Sequence, residues 1–439
     1  MSLLEIPEAQ ELLDDASLTP QTVRGCADRL TRFLTRYLPL FYRQEQRDHL
    51  RLAIEGRLSA LERKTSEPIA REAAVPRRAL QRFVGAGDWD DQAAMAELRG
   101  QVGEELGDAS GVLILDPSSF PKKGTESCGV QRQWCGRLGK KENCQVGVFL
   151  TYAAAKGHAP LDRQLYLPES WARDKERCRK CYVPPRVTYQ PKWQIGLELI
   201  ERSREVPHAW VTGDDEFGRV AEFRQALREA GEAYVLDVPC NTLVRALDER
   251  VRRRGGGGRP RKPPFRRVDA WLKRQPDNRW QEIEIRAGEK GPLRAQALRA
   301  RVQTRTKSRV GPEECLVVIR TLEAEPRTHY TLSPASPDMP TTEIVRAHCE
   351  RHRVEETLQE GKGEVGLAHY EVRSWTGWHH HMTLCLLALL FLVLEKLQVG
   401  KKNTGRHSFA SAGDLRGTTP SPKADSCGNR PKSKRRSAA

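Results

Sequence analysis

Long apolar runs are nearly absent from this sequence. The one that stands out, Met382 to Leu394, is shorter than the roughly 18–20 residues a membrane span needs. Glu395 and Lys396 close it, so a buried helix is expected and no membrane partner. The opening stretch MSLLEIPEAQELLDD is acidic and has no charged segment leading into an apolar one, which argues against a secretion signal. The 11 cysteines are scattered, and without a secretion signal they read as reduced cytoplasmic thiols, not a disulfide framework. Cys178 and Cys181 form a lone CxxC, and Cys128 with Cys135 is the nearest other pair. That spacing is poor for a zinc site, so free thiols are expected. GEKGP and GGGG lack the Lys-Ser or Lys-Thr and the helix of a phosphate-binding loop, so no nucleotide cofactor is expected.

Negative charge is also in deficit. Against 74 Lys and Arg stand 58 Asp and Glu, for a net charge of +16. An excess of this kind over a whole chain favours polyanionic partners, of which nucleic acid is the commonest. It speaks for binding and not for chemistry. A length of 439 residues allows two or three domains and a sizeable core.

Residues 1–104 are expected to be a helical N-terminal domain. Leu30, Phe33, Leu34, Tyr37, Leu38 and Phe41 recur at helical spacing, and Leu50, Ile54, Leu58 and Leu61 continue it. In SEPIAREAAVPRRALQRFVGAGDWD a short helix, a turn at Val75 and Pro76, and a basic helix ending at Gly85 follow one another. This is the form of a helix-turn-helix whose Arg77, Arg78 and Arg82 meet DNA. It is equally the form of a small bundle with a charged face.

A different regime fills 105–238. Gly111 to Asp116 (GVLILD) is an apolar run ending in an acid, the profile of a central strand with a carboxylate at its tip. Asn143 to Ala154 and Leu161 to Leu167 give two more strands, and Trp193, Leu197 and Ile200 mark a helix. A strand from His208 to Thr212 runs into Asp214 and Asp215, and a helix from Val220 to Ala230 precedes a strand at Ala233 to Asp237. Residues 239–340 read as a β-rich insertion, with strands at Trp280 to Arg286, Cys315 to Arg320 and His329 to Ser333 and a mobile basic loop in VRRRGGGGRPRKPPFRR. Residues 341–399 return to helices, and 400–439, rich in Ser, Gly, Pro and Lys, are expected to be a disordered basic tail.

The stretch that carries most of the argument is EIVRAHCERHRVEETLQEGK, Glu343 to Lys362. On one continuous helix His348, Arg351, Glu355, Leu358 and Lys362 share a face, being three or four residues apart. That face is polar, the reverse of a core helix. Taken alone it also fits a solvated helix with salt-bridge spacing.

Together these elements resemble the ribonuclease H-like layout: an α/β mixed sheet flanked by helices, with an acid after the first strand, a second after the fourth and a third on a later helix. His348, Arg351, Glu355 and Lys362 match the Y-R-E-K spacing of a branch of bacterial insertion-sequence DDE transposases, with His in place of Tyr. LDPSSFPKKG is similar to that family's first-aspartate segment, which singles out Asp116 with Lys122 and Lys123 behind it. GDDEFG resembles the second-aspartate motif, in which Phe217 and Gly218 select Asp214 over Asp215.

The resemblance implies that Asp116, Asp214 and Glu355 are catalytic and hold Mg²⁺, for which Mn²⁺ can substitute. Two such ions clamp the attacking and leaving oxygens of an in-line phosphoryl displacement. His348, Arg351 and Lys362 would meet the DNA phosphates. It further implies cleavage at element ends and transfer to target DNA (cut-and-paste), double-stranded terminal repeats and target as partners, a homodimer on DNA, and a bacterial cytoplasmic, nucleoid-associated location. Trp271 or Trp280 in the insertion could stack a flipped base, although buried core is the expected role of each. Relatives usually continue beyond this region with a folded helical segment, so the tail leaves open a transposition-defective remnant or regulator that only binds element ends. A structure-selective nuclease on the same fold is a third possibility. His379, His380 and His381 could bind metal, but preceding a buried helix they are expected to cap packing or face solvent.

Overall fold

The computed structural model describes residues 20–249, 262–286, 292–323 and 325–403. Five helices come first: α1 (Pro20–Thr35), α2 (Gln44–Leu58), α3 (Ser66–Glu72), α4 (Arg77–Ala86) and α5 (Asp91–Leu106). Asp90 caps α5 by accepting from the amides of Gln92 (2.8 Å) and Ala93 (3.2 Å). Between α3 and α4 the chain turns at Ala74, whose φ is +52°, next to the turn expected at Val75 and Pro76.

The sheet then begins with β1 (Val112–Pro121), β2 (Gln131–Cys135), β3 (Lys140–Ala154) and β4 (Gly157–Leu165). Short helices α6 (Glu169–Arg173) and α7 (Lys175–Lys180) and the amphipathic α8 (Lys192–Arg202) lead to β5 (Trp210–Gly213), α9 (Asp215–Gly218), α10 (Ala221–Glu229) and β6 (Tyr234–Asp237). The β-rich region supplies β7 (Leu243–Ala246), β8 (Arg266–Arg267), α11 (Val268–Leu272), β9 (Gln281–Arg286), β10 (Leu293–Thr306), β11 (Arg309–Thr321) and β12 (Thr328–Ser333). Three helices follow: α12 (Thr341–Cys349), α13 (His352–Glu364) and α14 (Trp375–Asn403).

Among the described residues twelve strands join one mixed sheet in the order β2-β3-β1-β5-β6-β12-β11-β10-β7-β8, with β4 on β3 and β9 on β10. The core path β4-β3-β1-β5-β6, with β1, β5 and β6 parallel and helices against it, is the ribonuclease H-like arrangement. The insertion continues that sheet: β12 pairs with β6 through Thr331 opposite Asp237 and Leu332 opposite Leu236. Glu314 on β11 reinforces the join. It is fully buried and accepts from Arg224 of α10 (2.9 Å), Tyr234 of β6 (2.6 Å) and Thr304 of β10 (3.3 Å).

Several expectations need correction. β1 does not stop at Asp116 but runs on to Pro121, because β3 keeps offering partners as far as Cys144. β2, β7, β8 and β10 were not foreseen, and β8 lies at the end of the stretch expected to be a mobile loop. β10, LRAQALRARVQTRT, alternates Arg and Gln with small apolar residues, so its buried face is too weakly hydrophobic to read as a strand.

The stretch from Glu343 to Lys362 is two helices, not one. Between them Arg351 N bonds His348 O (3.0 Å) and Arg353 N bonds Glu350 O (2.9 Å) in tight turns. The break lets α12 pack on the insertion strands while α13 crosses β1 and β3.

The apolar run at Met382 to Leu394 is the middle of a 29-residue helix. By length and composition α14 could cross a membrane, but it is mostly buried among β4, α2, α4 and α5. His379, His380 and His381 do not face solvent. They lie in the core, His380 stacked on Trp89 with ring centroids 3.7 Å apart. α14 also extends past Gly400, where the tail was expected to begin. The Gly/Arg segment from 250 to 261 and the tail from 404 onward lie outside the described residues.

Candidate active site

β1 and β5 run parallel, and their last pair is Leu115 opposite Gly213. The residues that follow are Asp116 and Asp214, so the register delivers two carboxylates to one end of the sheet. Asp116 still pairs with Phe149 of β3. Asp214 leaves the sheet and caps α9, accepting from the Glu216 amide at 3.0 Å. Asp215 turns away to pair with Arg219 at 2.6 Å on the surface. Gly218 is required by packing, since a Cβ there would lie 1.9 Å from the carbonyl oxygen of Asp237.

α13 brings Glu355 and Lys362 over β1. Asp116, Ser118, Arg137, Glu355 and Lys362 line a cavity of about 460 Å³. A second cavity of about 320 Å³ holds Asp214, Asp237, His329 and Arg351. Arg351 links the two, 3.4 Å from Glu355 on one side and 3.4 Å from Asp237 on the other.

The electrostatics are those of a crowded anionic site. Burial, then the nearby charges of Asp214 and Glu355, push the Asp116 carboxyl well above its ordinary value, and Arg351 and Lys362 offset only part of this. The Asp214 carboxyl is pushed up to about 6 by burial and by Glu216 and Asp215. Burial pulls the Lys362 ammonium down, against the attraction of Asp116. Clustered carboxylates short of countercharge, offering only hard oxygen donors, fit a divalent cation of the magnesium type. The three are not drawn tightly together, however. Among the described residues, the group whose donor atoms all lie within 4.8 Å of one another is Asp237, His329 and His348.

Other expected contacts fall differently. His348 is buried and its Nε2 meets Asp237 Oδ1 at 2.8 Å, so it faces the end of β6 and not a phosphate. Lys122 is tied down, donating to the Tyr370 carbonyl at 2.8 Å and lying 4.4 Å from that ring's centroid. Lys123 is exposed beside it. Arg77 pairs with Glu67 at 3.0 Å, while Arg78 and Arg82 are exposed on α4. Trp271 is buried and donates to Glu249 at 2.7 Å, which removes it as a stacking surface. Trp280 is covered by Arg320, 4.1 Å from its centroid. Cys128, Cys178 and Cys181 cluster, but Cys135 packs instead with Cys144 and Val146, so the four cysteines do not converge.

A sequence profile for DDE superfamily endonuclease matches residues 36–305. The chain belongs to the DDE superfamily endonucleases. The matched span carries Asp116 and Asp214 and ends before α13, so Glu355 lies outside it. Over 196 residues it is 24% identical to a "Probable transposase for insertion sequence element IS701" of Microchaete diplosiphon, covering 44% of this chain and 49% of that protein. The chain thus spans about half the length of the curated relative it matches.

Sequence reasoning passed over Asp237 and His329. The signal for Asp237 was present: YVLD is an apolar strand ending in an acid, the same pattern that singled out Asp116.

Proposed function

We propose that this DDE endonuclease is an insertion-sequence transposase that cuts DNA at element ends and joins the freed 3′ ends to target DNA. The observation that carries the reading is that Asp116 and Asp214 each follow the last parallel pair of β1 and β5, with Glu355 and Lys362 in the cavity beside Asp116 and Arg351 in the one beside Asp214, in a strongly basic chain. Asp116, Asp214 and Glu355 would hold Mg²⁺ or Mn²⁺, which when bound supplies charge stabilisation for phosphoryl displacement. Arg351 and Lys362 neutralise and orient the phosphate that enters beside Asp116. Lys362, already desolvated, gains a partner when that phosphate arrives. Double-stranded terminal repeats, a second DNA segment as target and a homodimer that pairs two ends complete the proposal.

The test uses the full chain, a labelled duplex containing an element end, and Mg²⁺. Strand nicking is expected with the native protein and should disappear in Glu355→Gln while DNA binding persists. Undiminished nicking by Glu355→Gln would refute the assignment. End binding by the native protein with no nicking under Mg²⁺ or Mn²⁺ would make it a binding remnant, and cut ends never joined to target would make it a nuclease.

A further inference from the structure

Beside the second cavity, which Asp237 and His329 line, lies a cluster that the carboxylate site does not use. Asp237 closes β6, His329 lies near the start of β12, and His348 lies near the end of α12. The three are far apart in sequence. They meet because β12 pairs with β6 through Thr331 and Asp237, which sets His329 two residues along on the same face, and because α12 packs on β6. Their donor atoms all fall within 4.8 Å of one another.

We propose that Asp237, His329 and His348 form a binding site for a single transition-metal ion of the zinc type, separate from the magnesium-type carboxylate site. Two imidazoles and one carboxylate are the donor set that borderline ions take, whereas Mg²⁺ prefers oxygen alone. His348 Nε2 lies 2.8 Å from Asp237 Oδ1, and His329 Nδ1 lies 3.6 Å from Asp237 Oδ2. Adjacent donors around a tetrahedral zinc ion stand about 3.3 Å apart, given its bond lengths, so the observed spacings bracket that value. At 3.6 Å the contact between His329 and Asp237 is longer than an ordinary hydrogen bond. Asp237 and His329 line the cavity of about 320 Å³, which gives a path for the ion and room for a water.

Arg351 does not compete for the site. Its Nε is 3.4 Å from Oδ2 and carries a proton, so it cannot ligate and serves as an outer partner that orients the carboxylate. The ion takes the place of the proton shared by His348 and Asp237 and ties α12 to the sheet, which fixes Arg351 between the two cavities.

The experiment is a cobalt(II) titration of the chelator-stripped full chain, read by visible absorption. Co²⁺ is the probe because nitrogen-ligated four- or five-coordinate cobalt absorbs far more strongly than the octahedral oxygen-ligated ion. One intense site per chain is expected, weakened about 100-fold or more in His329→Ala and in Asp237→Asn, at or above the loss seen on removing outer partners of a metal. It should be unchanged in Glu355→Gln. His329 is partly exposed and Asp237→Asn keeps the side-chain shape, so a folding defect common to both is not expected. Strong bands that survive both substitutions, bands lost in Glu355→Gln alone, or no binding would each overturn the proposal. The outcome is independent of whether DNA is cleaved.

Discussion

Asp116 and Asp214 each stand one residue beyond the last parallel pair of the central strands, Leu115 opposite Gly213. Their proximity is therefore a matter of strand register. A slip of one residue would turn either carboxylate to the opposite face.

That arrangement makes cation binding depend on pH. The Asp214 carboxyl, raised to about 6 by burial and neighbouring acids, keeps its proton below that pH in the metal-free protein. Bound protons favour the fold here, and that contribution is lost as pH rises through 6. A divalent cation must displace the proton, so Mg²⁺ binding is expected to weaken below pH 6 and to release protons there. Calorimetry in two buffers of different ionisation enthalpy, at pH 5.5 and 7.5, reads the released protons directly. Equal release at both values would count against the shift.

Asp91 at the start of α5 pairs with Arg163 of β4, a guanidinium with no exposed surface that also meets Thr383 of α14 at 2.6 Å. Burial opposes ionisation of Asp91, but Arg163 holds the carboxyl down to about 2. The stabilisation is present above about pH 4 and fades as pH falls toward 2, amounting to about 2 kcal/mol for a shift of this size. Asp91→Asn removes one of the two carboxylates that face Arg163, Asp162 remaining 3.6 Å away, and should cost about 2 kcal/mol at pH 7. Urea midpoints should show that gap narrowing at pH 3. A gap independent of pH would mean that the charge pair is not its source.

The insertion should unfold with the core because Glu314 joins them. Glu314→Ala leaves Arg224, 3% exposed, without its carboxylate, and about 3–5 kcal/mol should be lost. Replacing both residues by Met should recover part of it, since a buried charge no longer lacks a partner. A loss under about 1 kcal/mol in Glu314→Ala, well below that range, would show that the join depends on strand pairing alone.

If α4 lies against DNA, Arg78→Ala with Arg82→Ala should weaken binding similarly for all sequences. The slope of log affinity against log salt should fall in size by about 2, one unit per lost phosphate contact. Filter binding or anisotropy across a salt series measures it. An unchanged slope would leave α3 and α4 as a helical bundle with a charged face.

The strands of the core could be read in advance because Ile114, Val148 and Val235 sit in apolar runs that only a covered sheet explains. β10 could not, because its arginines mask a narrow buried face. The break at Glu350 and Arg351 was also hidden: ERHR contains no Gly or Pro, and nothing local interrupts the helical pattern.

The sequence by itself determined most of the core strands and helices, and it placed an acid after the apolar run of each central strand, because periodicity and chain breakers act over a few residues. Only the tertiary structure decided what those acids meet. His348, matched by spacing to a residue that faces DNA, turns instead to Asp237, 111 residues away. The pairing of β12 with β6 and the bend before α13 set that contact, and both arise from packing between elements too distant in the chain to leave a local signal.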